Sequence, residues 1–213
     1  MYNAKADFDT LLSNTPSSQE IIKSICKKKF IDDEKSIIEE IFAFINHEYK
    51  DEDFDKRTIT NKWIKYHNEG IITASAPDKI KNILEISHCI LYAKNINEKI
   101  IASLEFYIYD SHDKSCKNKI VNNSGLSIIT DSLDFTIKKC KQNHNCAIAY
   151  AINFLFEILT QKPFSKLNDV LGFLIFKKIL HEYIDLPLSY PIAKEFFSMY
   201  GNRPNEDLII FSK

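Results

Sequence analysis

The chain has 213 residues, of which 45% are hydrophobic and 27% are charged, and these fractions are typical of a soluble globular protein with one sizeable core. Its formal net charge is −1, so no basic field favours nucleic acid, and we predict no nucleic-acid partner. The sequence has four glycines and no GxGxxG or GxxxxGK pattern, which argues against a glycine-rich phosphate loop.

The first residues and the cysteines bear on where the protein works. "MYNAKADFDT" lacks the basic and then apolar regions of a secretory signal peptide, so none is expected. Five cysteines, an odd number, favour free thiols in a reducing compartment over a disulfide framework. No uncharged apolar run approaches about 18 residues, so we predict no membrane span.

Residues 1–70 are predicted to form an N-terminal helical region, and residues 71–213 an α+β core, with both parts in one compact domain. "SSQEIIKSICKKKF" offers a serine cap and isoleucines at helical spacing. "DDEKSIIEEIFAFINHEYK" has acids in its first turn and one apolar stripe, which is typical of a helix. "NKWIKYHNEG" predicts a short helix ended by Gly70, with Trp63 in the core.

The central part of the chain has the composition of strands. "ISHCILYAK" (86–94) and "KIIASLEFYIYDS" (99–111) are rich in branched and aromatic residues, and "NINE" between them predicts a tight turn, so the two should form an antiparallel hairpin. Residues 111–125 are expected to be a loop. "LSIIT" and "LDFTIKK" are weaker strand candidates.

The last part of the chain is again helical in pattern. A long, mostly apolar helix is predicted to begin at about Cys146, and "FSKLNDVLGFLIFKKILHEYI" predicts a second, amphipathic helix that ends before Pro187. "PIAKEFFSMYG" and "DLIIFSK" are candidates for a last helix and a last short strand. This order predicts an α+β fold with a small mixed or antiparallel sheet, a buried central helix and flanking helices.

Cys146 follows the polar stretch "KQNHN" and opens an apolar helix, so it is either small core filler or a nucleophile at the positive end of that helix. A hairpin turn centred between Ile96 and Asn97 would place Glu105 directly opposite His88, close enough for a carboxylate to orient an imidazole. Asp110 is the alternative acid if the second strand bends or the loop is longer. These residues predict a Cys–His–acid site in which His88 is the general base.

The order of these residues and the motifs around them resemble clan CE cysteine enzymes. The histidine segment "SHCILYAKNINEK" and the "KQNHNC" that leads into a long helix are most similar to the YopJ-like effector acetyltransferases, whereas "FYIYDS" is closer to the ubiquitin-like protease branch. The resemblance covers about residues 85 to 160 and implies a papain-like, clan CE-type core. Gln142, four residues before the cysteine, is the candidate side-chain donor to an oxyanion.

The resemblance implies a bacterial effector that is held in the bacterial cytoplasm and then secreted into the host cytosol. Such an enzyme would pass an acetyl group from acetyl-CoA, through a cysteine thioester, to Ser, Thr or Lys of a host protein, with inositol hexakisphosphate as an activator. The alternative is a cysteine protease acting on ubiquitin or a ubiquitin-like modifier. Ala147 stands where the family usually has glycine, and Cys140 where it commonly has glutamine, which keeps a third possibility open: a catalytically inactive binding module on the same fold.

Two further patterns compete with these interpretations. His112-x3-Cys116 together with Cys140-x3-His144 supplies four zinc-ligand types, but the spacing matches no standard finger, so we predict no metal and expect Cys116 and Cys140 to be inert. Six basic residues form either an anion-binding patch or a scattered solvated surface. They are Lys162, Lys166, Lys177, Lys178, Lys194 and Arg203.

Overall fold

A computed structural model describes residues 34–48, 55–69, 78–94, 96, 120–165 and 167–190. These ranges contain six α-helices and one short 3-10 turn. The helices are α1 (Glu34–Glu48), α2 (Lys56–Glu69), α3 (Asp78–Leu91), α4 (Asn123–Gln142), α5 (Ala147–Gln161) and α6 (Asn168–Ile184), and the 3-10 turn spans His144–Cys146. Helix α5 packs between α4 and α6, α3 packs on α6, and α1 contacts both α2 and α3.

The predicted α+β fold with a papain-like sheet is wrong, because the described residues contain no strand. The only β-type pairing among the described residues is one isolated antiparallel bridge between Ile120 and Phe164. Residues 86–91 of the predicted strand 86–94 are the end of helix α3, in which Ile83, Ser87 and Ile90 are buried at helical spacing, and residues 92–94 follow the helix. The branched run "ISHCIL" resembles a strand in isolation, but "DKIKNILE" before it already starts the helical pattern. The second predicted strand, 99–111, lies outside the described residues.

The weaker strand candidates "LSIIT" and "LDFTIKK" are also wrong, since both belong to the single helix α4. Asn122 caps this helix by accepting a hydrogen bond from the Gly125 N–H at 2.8 Å. Ile129, Leu133 and Cys140 then fall on the buried face. The expected loop 111–125 therefore ends earlier than predicted, because residue 123 is already helical.

The predicted helix that begins at about Cys146 is confirmed as α5. Cys146 is its N-cap residue, and Phe154, Leu155 and Ile158 are among its core side chains. The helix ends at Lys162, whose φ of 42° is left-handed and whose N–H bonds to the Ile158 carbonyl.

The second predicted helix is confirmed as α6, but it is not amphipathic. Every residue from Val170 to Leu180 is buried, so α6 lies at the centre of the described helices. At Gly172 side chains of α5 pack directly against the backbone of α6, because a methyl group there would overlap the Ile158 Cγ2 and lie 3.0 Å from Leu155 Cδ1. Trp63 on α2 is fully buried, as predicted.

Lys177 and Lys178 belong to this buried helix, so both interpretations of the basic residues, an anion patch or a solvated surface, are wrong for these two. The Lys177 ammonium lies 2.7 Å from Glu40 on α1 and donates to the Tyr190 carbonyl at 2.8 Å. The Lys178 ammonium donates to the Leu91 carbonyl at the end of α3, at 3.1 Å. Burial lowers the Lys178 pKa, and the Glu182 carboxylate 3.8 Å away opposes this shift.

Of the other basic residues, Lys162 is exposed, and Lys166, Lys194 and Arg203 lie outside the described residues. The domain boundary at residue 70 stays a prediction. The Glu40–Lys177 ion pair nevertheless joins the two predicted parts of the chain through their buried surfaces. Within the described ranges, no helix is both long enough and apolar enough to cross a membrane.

Candidate functional site

The candidate site is the turn from α4 to α5, which one side chain organises. Asn143 has an extended backbone (φ −147°), and its N–H closes α4 by donating to the Lys139 carbonyl at 2.9 Å. Its Oδ1 accepts from the Asn145 N–H at 3.1 Å and so starts the 3-10 turn. Its Nδ2 donates to the Cys146 sulfur at 3.2 Å. A single asparagine therefore fixes both the turn and the thiol that follows it.

The Cys146 thiol lies half-buried at the N-terminus of α5. The backbone N–H of Cys146 donates to the Asn143 carbonyl at 3.2 Å, and residues 141–145 before it are all exposed. The first N–H groups of a helix lack acceptors within that helix, and its dipole favours negative charge there. The sulfur therefore lies at the α5 terminus and accepts a hydrogen bond from the Asn143 amide.

The neighbouring thiol of Cys140 has the opposite character. Its sulfur is fully buried on α4, 3.9 Å from the Ala147 carbonyl oxygen. Burial raises the pKa of Cys140 to about 12, and negative charge on Cys146 adds to this increase. Cys140 therefore has the burial of a structural thiol, and the pair offers a comparison between a buried and a half-buried cysteine.

His88 is not on a strand, so the hairpin that was to align it with an acid does not form. Its ring packs 4.8 Å from the Tyr92 ring and 5.7 Å, edge-on, from Trp63, measured between centroids. The Cys146 sulfur takes its hydrogen bond from Asn143, and among the described residues no hydrogen bond joins it to His88. Glu105 and Asp110 lie outside the described residues. The His88–Glu105 pairing has lost its structural basis, and the identity of the acid stays a prediction.

Gln142, the predicted oxyanion donor, is the last residue of α4 and is exposed. Its position four residues before Cys146 is on the other side of the Asn143 turn. The amide that reaches the sulfur is instead Asn143, one residue further along. The sequence carried this signal in the first asparagine of "NHNC", since asparagine is a frequent cap at such turns.

His144 is a residue of the site that the sequence suggested only as a zinc ligand. Its ring is exposed and lies edge-on to Tyr183, with centroids 6.0 Å apart, and its Nδ1 is 2.9 Å from the Tyr183 carbonyl oxygen. A carbonyl oxygen can only accept, so Nδ1 carries the hydrogen of the neutral ring and Nε2 carries the lone pair. Burial raises the pKa of the Tyr183 phenol to about 12, so it remains neutral beside this ring at ordinary pH.

The positions of Cys140 and His144 do not support the zinc interpretation. No group of three or more His, Cys, Asp or Glu side chains within the described ranges is close enough to hold a metal ion. Cys140 points into the core and His144 is bonded to the end of α6. His112 and Cys116 lie outside the described residues.

Comparison with known proteins does not indicate a function, so a functional proposal has to be argued from the geometry of the site. No known protein family, characterised protein or solved structure matches the chain. The resemblance to clan CE enzymes, and to the YopJ-like branch within them, therefore stays a prediction. Its structural part, the papain-like sheet, is the part that the described residues contradict.

Proposed function

We propose that the protein is a thiol-dependent acyl-transfer enzyme in which Cys146 carries the acyl group. The observation that carries this proposal is the half-buried Cys146 sulfur at the N-terminus of α5, with the Asn143 amide donating to it at 3.2 Å. A hydrogen bond to sulfur and the positive end of a helix both stabilise a thiolate, which is the nucleophilic form.

The reaction takes place in two halves. In the first, the Cys146 thiolate attacks the carbonyl carbon of an acyl thioester donor, the bond from carbon to the donor sulfur breaks, and the donor leaves as a thiol after taking a proton. The positive end of the α5 dipole would favour the tetrahedral oxyanion. In the second half, a hydroxyl or amine of the acceptor attacks the Cys146 thioester, loses its proton and releases the thiolate.

The donor and acceptor follow from the family resemblance. Acetyl-CoA is the proposed donor, and a side chain of a host protein is the proposed acceptor, as for an effector delivered into the host cytosol. Inositol hexakisphosphate is the proposed activator. The same thiol would serve a protease of ubiquitin-like modifiers, in which the acyl group comes from an isopeptide bond and water is the acceptor.

The test is intact mass spectrometry of the full chain after incubation with acetyl-CoA, with and without inositol hexakisphosphate. We expect a mass increase of one acetyl group that is removed by hydroxylamine, as a thioester should be. Cys146→Ala should lose it and Cys140→Ala, the matched inert thiol, should keep it. No acetylation of the wild type under either condition, or equal acetylation of Cys146→Ala, would remove this proposal.

Electrophilic ubiquitin-like probes separate the protease from the transferase. Each probe carries a carbon electrophile in place of the C-terminal carboxylate, and a nucleophilic Cys146 that recognises the modifier would become covalently attached. An adduct that disappears in Cys146→Ala, with no acetyl thioester in the first assay, would establish the protease. A thioester without any probe adduct would establish the transferase.

A second candidate function, a binding module without catalysis, is favoured by an apolar stripe on α4 and the residue before its cap. Val121, Ile128 and Phe135 recur at every seventh position and are 64%, 43% and 46% exposed. Lys139 lies over the Phe135 ring at 5.4 Å, and Lys138 and Lys141 continue the basic end. A stripe of this period fits an amphipathic helix, and its basic end fits one with acidic residues beside its apolar face.

A fluorescent synthetic helix with leucines at heptad spacing and flanking glutamates tests that candidate. We expect saturable binding that Ile128→Lys weakens at least tenfold, whereas Ser127→Lys, an exposed neighbour outside the stripe, leaves it unchanged. Absent binding, or the same loss in both variants, would rule out this stripe as the docking surface.

A further inference from the structure

We infer that the partner for the apolar stripe of α4 is a second copy of this chain, packed antiparallel across a two-fold axis at Phe135. This inference rests on the second proposed function, the docking stripe, and is independent of acyl transfer at Cys146. The stripe and its basic end fit a helix that has acidic residues beside an apolar face. Helix α4 is itself such a helix, since Asp131 and Asp134 precede Phe135 in its sequence.

Phe135, at the centre of the proposed contact, is an exposed aromatic side chain that its own neighbours hold in place. The residue is 46% exposed. The Tyr150 ring on α5 nevertheless meets its ring edge-on, with centroids 6.1 Å apart, and the Lys139 ammonium lies 5.4 Å from its centroid. A large apolar ring that is already fixed in this way loses little conformational entropy when a partner covers it, and covering it removes apolar surface from water.

The charges on either side of Phe135 are opposite and equally spaced. Asp131 lies four residues before Phe135 and Lys139 four residues after it, so each is about 40° from Phe135 around the helix, on opposite sides. The neighbouring Asp134 and Lys138 pair with each other within the helix, at 2.7 Å. Within the described ranges, neither Asp131 nor Lys139 takes part in a salt bridge. These two charges therefore remain to be matched by a partner.

Two-fold symmetry makes this pattern complementary to itself. In an antiparallel pair of α4 helices centred on Phe135, each residue faces the one that is equally far on the other side of position 135. Asp131 of each copy then faces Lys139 of the other, and the two Phe135 rings meet at the axis, as a closed interface between identical surfaces requires. A pairing centred on Ile128 would instead place Asp131 opposite the buried Gly125, so the charges favour the register at Phe135.

Charge reversal with rescue tests the inference, and sedimentation equilibrium of the full chain measures the dimer Kd. Asp131→Lys and Lys139→Asp should each raise the Kd by at least about tenfold, because each puts two like-charge contacts into the symmetric interface. The double variant exchanges both charges and should return the Kd to near the wild-type value. Within one copy the two residues are about 12 Å apart along the helix, beyond the screening length of about 8 Å at physiological salt, so the rescue must act between copies.

Lys141→Asp is the matched control, because it makes the same charge change at the same end of α4. Lys141 is exposed but lies about 120° around the helix from Phe135, outside the proposed contact, so its reversal should leave the Kd unchanged. Phe135→Ala should abolish the dimer while the helical circular dichroism signal is kept, since its ring is on the surface.

The outcomes separate this inference from the proposed function on which it rests. A wild-type chain that remains monomeric at every concentration, or a double variant that stays as weak as the single ones, would overturn the dimer. If the dimer is absent but the synthetic acidic helix still binds and Ile128→Lys weakens that binding, only the identity of the partner is refuted. If the synthetic helix also fails to bind, the docking stripe fails together with the dimer.

Discussion

The buried ion pair between Lys177 and Glu40 makes the sharpest prediction about stability. Their side chains are only 1% and 5% exposed, and the pair joins α6 to α1. Lys177→Met keeps the length of the side chain and removes the charge, so the buried Glu40 carboxyl would lose the ammonium that lies beside it. Breaking a buried pair from one side costs about 3–5 kcal/mol, and loss of the Lys177 hydrogen bond to the Tyr190 carbonyl adds about 1–3 kcal/mol.

The expected loss is a large part of the free energy of unfolding, which is about 5–15 kcal/mol for a typical domain. Urea unfolding followed by circular dichroism would measure it, with Glu40→Gln as a milder variant should Lys177→Met fail to fold. The double variant Lys177→Met with Glu40→Leu removes both charges, and we expect it to recover most of the loss, because apolar replacement of a buried pair is often neutral.

Lys178→Met is the matched control. Its ammonium also lies in the core, but Glu182 is 3.8 Å away and its side chain is 18% exposed, so water would still solvate the remaining carboxylate. We expect a cost nearer 1–3 kcal/mol, chiefly from the unpaired Leu91 carbonyl. A loss below about 1 kcal/mol for Lys177→Met, or a double variant no more stable than the single one, would refute the argument from burial.

Three further predictions concern backbone and burial. Gly172→Ala should destabilise the protein by about 1–3 kcal/mol in urea unfolding, because the new methyl overlaps Ile158 where α5 and α6 cross; an unchanged midpoint would contradict that close approach. Lys162→Gly should stabilise the protein by about 1 kcal/mol, and by more than Asp185→Gly does. Both residues have a left-handed φ, but aspartate tolerates this conformation better than lysine. A larger gain from Asp185→Gly would argue against backbone strain at Lys162. Burial raises the Cys140 pKa from 9.0 to about 12, so its neutral thiol contributes stability that is present below pH 9 and lost as pH rises toward 12; Cys140→Ala should flatten alkaline unfolding across that window, and an identical pH profile would refute the assignment.

The start of α5 was predicted correctly because a clear change from polar to apolar residues marks it. A polar run, "KQNHN", is followed by a long apolar stretch, and both local capping and tertiary burial favour a helix that starts at Cys146. The strand prediction at 86–94 failed because branched residues were weighed over a short window. In the folded chain the burial of Ile83 and Ile90 on one helical face outweighs their preference for strands.

The site was predicted in part. Cys146 and its helix were found from the polar-to-apolar change, but its partner was sought far along the chain through a hairpin register that depends on a sheet. The residue that donates to the sulfur, Asn143, is local, and so is His144 of the same turn. Their contacts depend on the bend between α4 and α5 and on a carbonyl near the end of α6, and neither is visible in residue spacing.

The two lysines of α6 have a consequence for how that helix is oriented. A helix that is buried on every side has no exposed polar face to set its rotation about its own axis, so specific contacts must do so. The close contact of Gly172 with Ile158 is one of them. Consecutive residues project about 100° apart, and here one ammonium is held by α1 and the Tyr190 carbonyl while the next is held by the end of α3. Rotation of α6 about its axis would pull at least one ammonium away from its partners, so these two adjacent lysines help to set the rotational position of the helix.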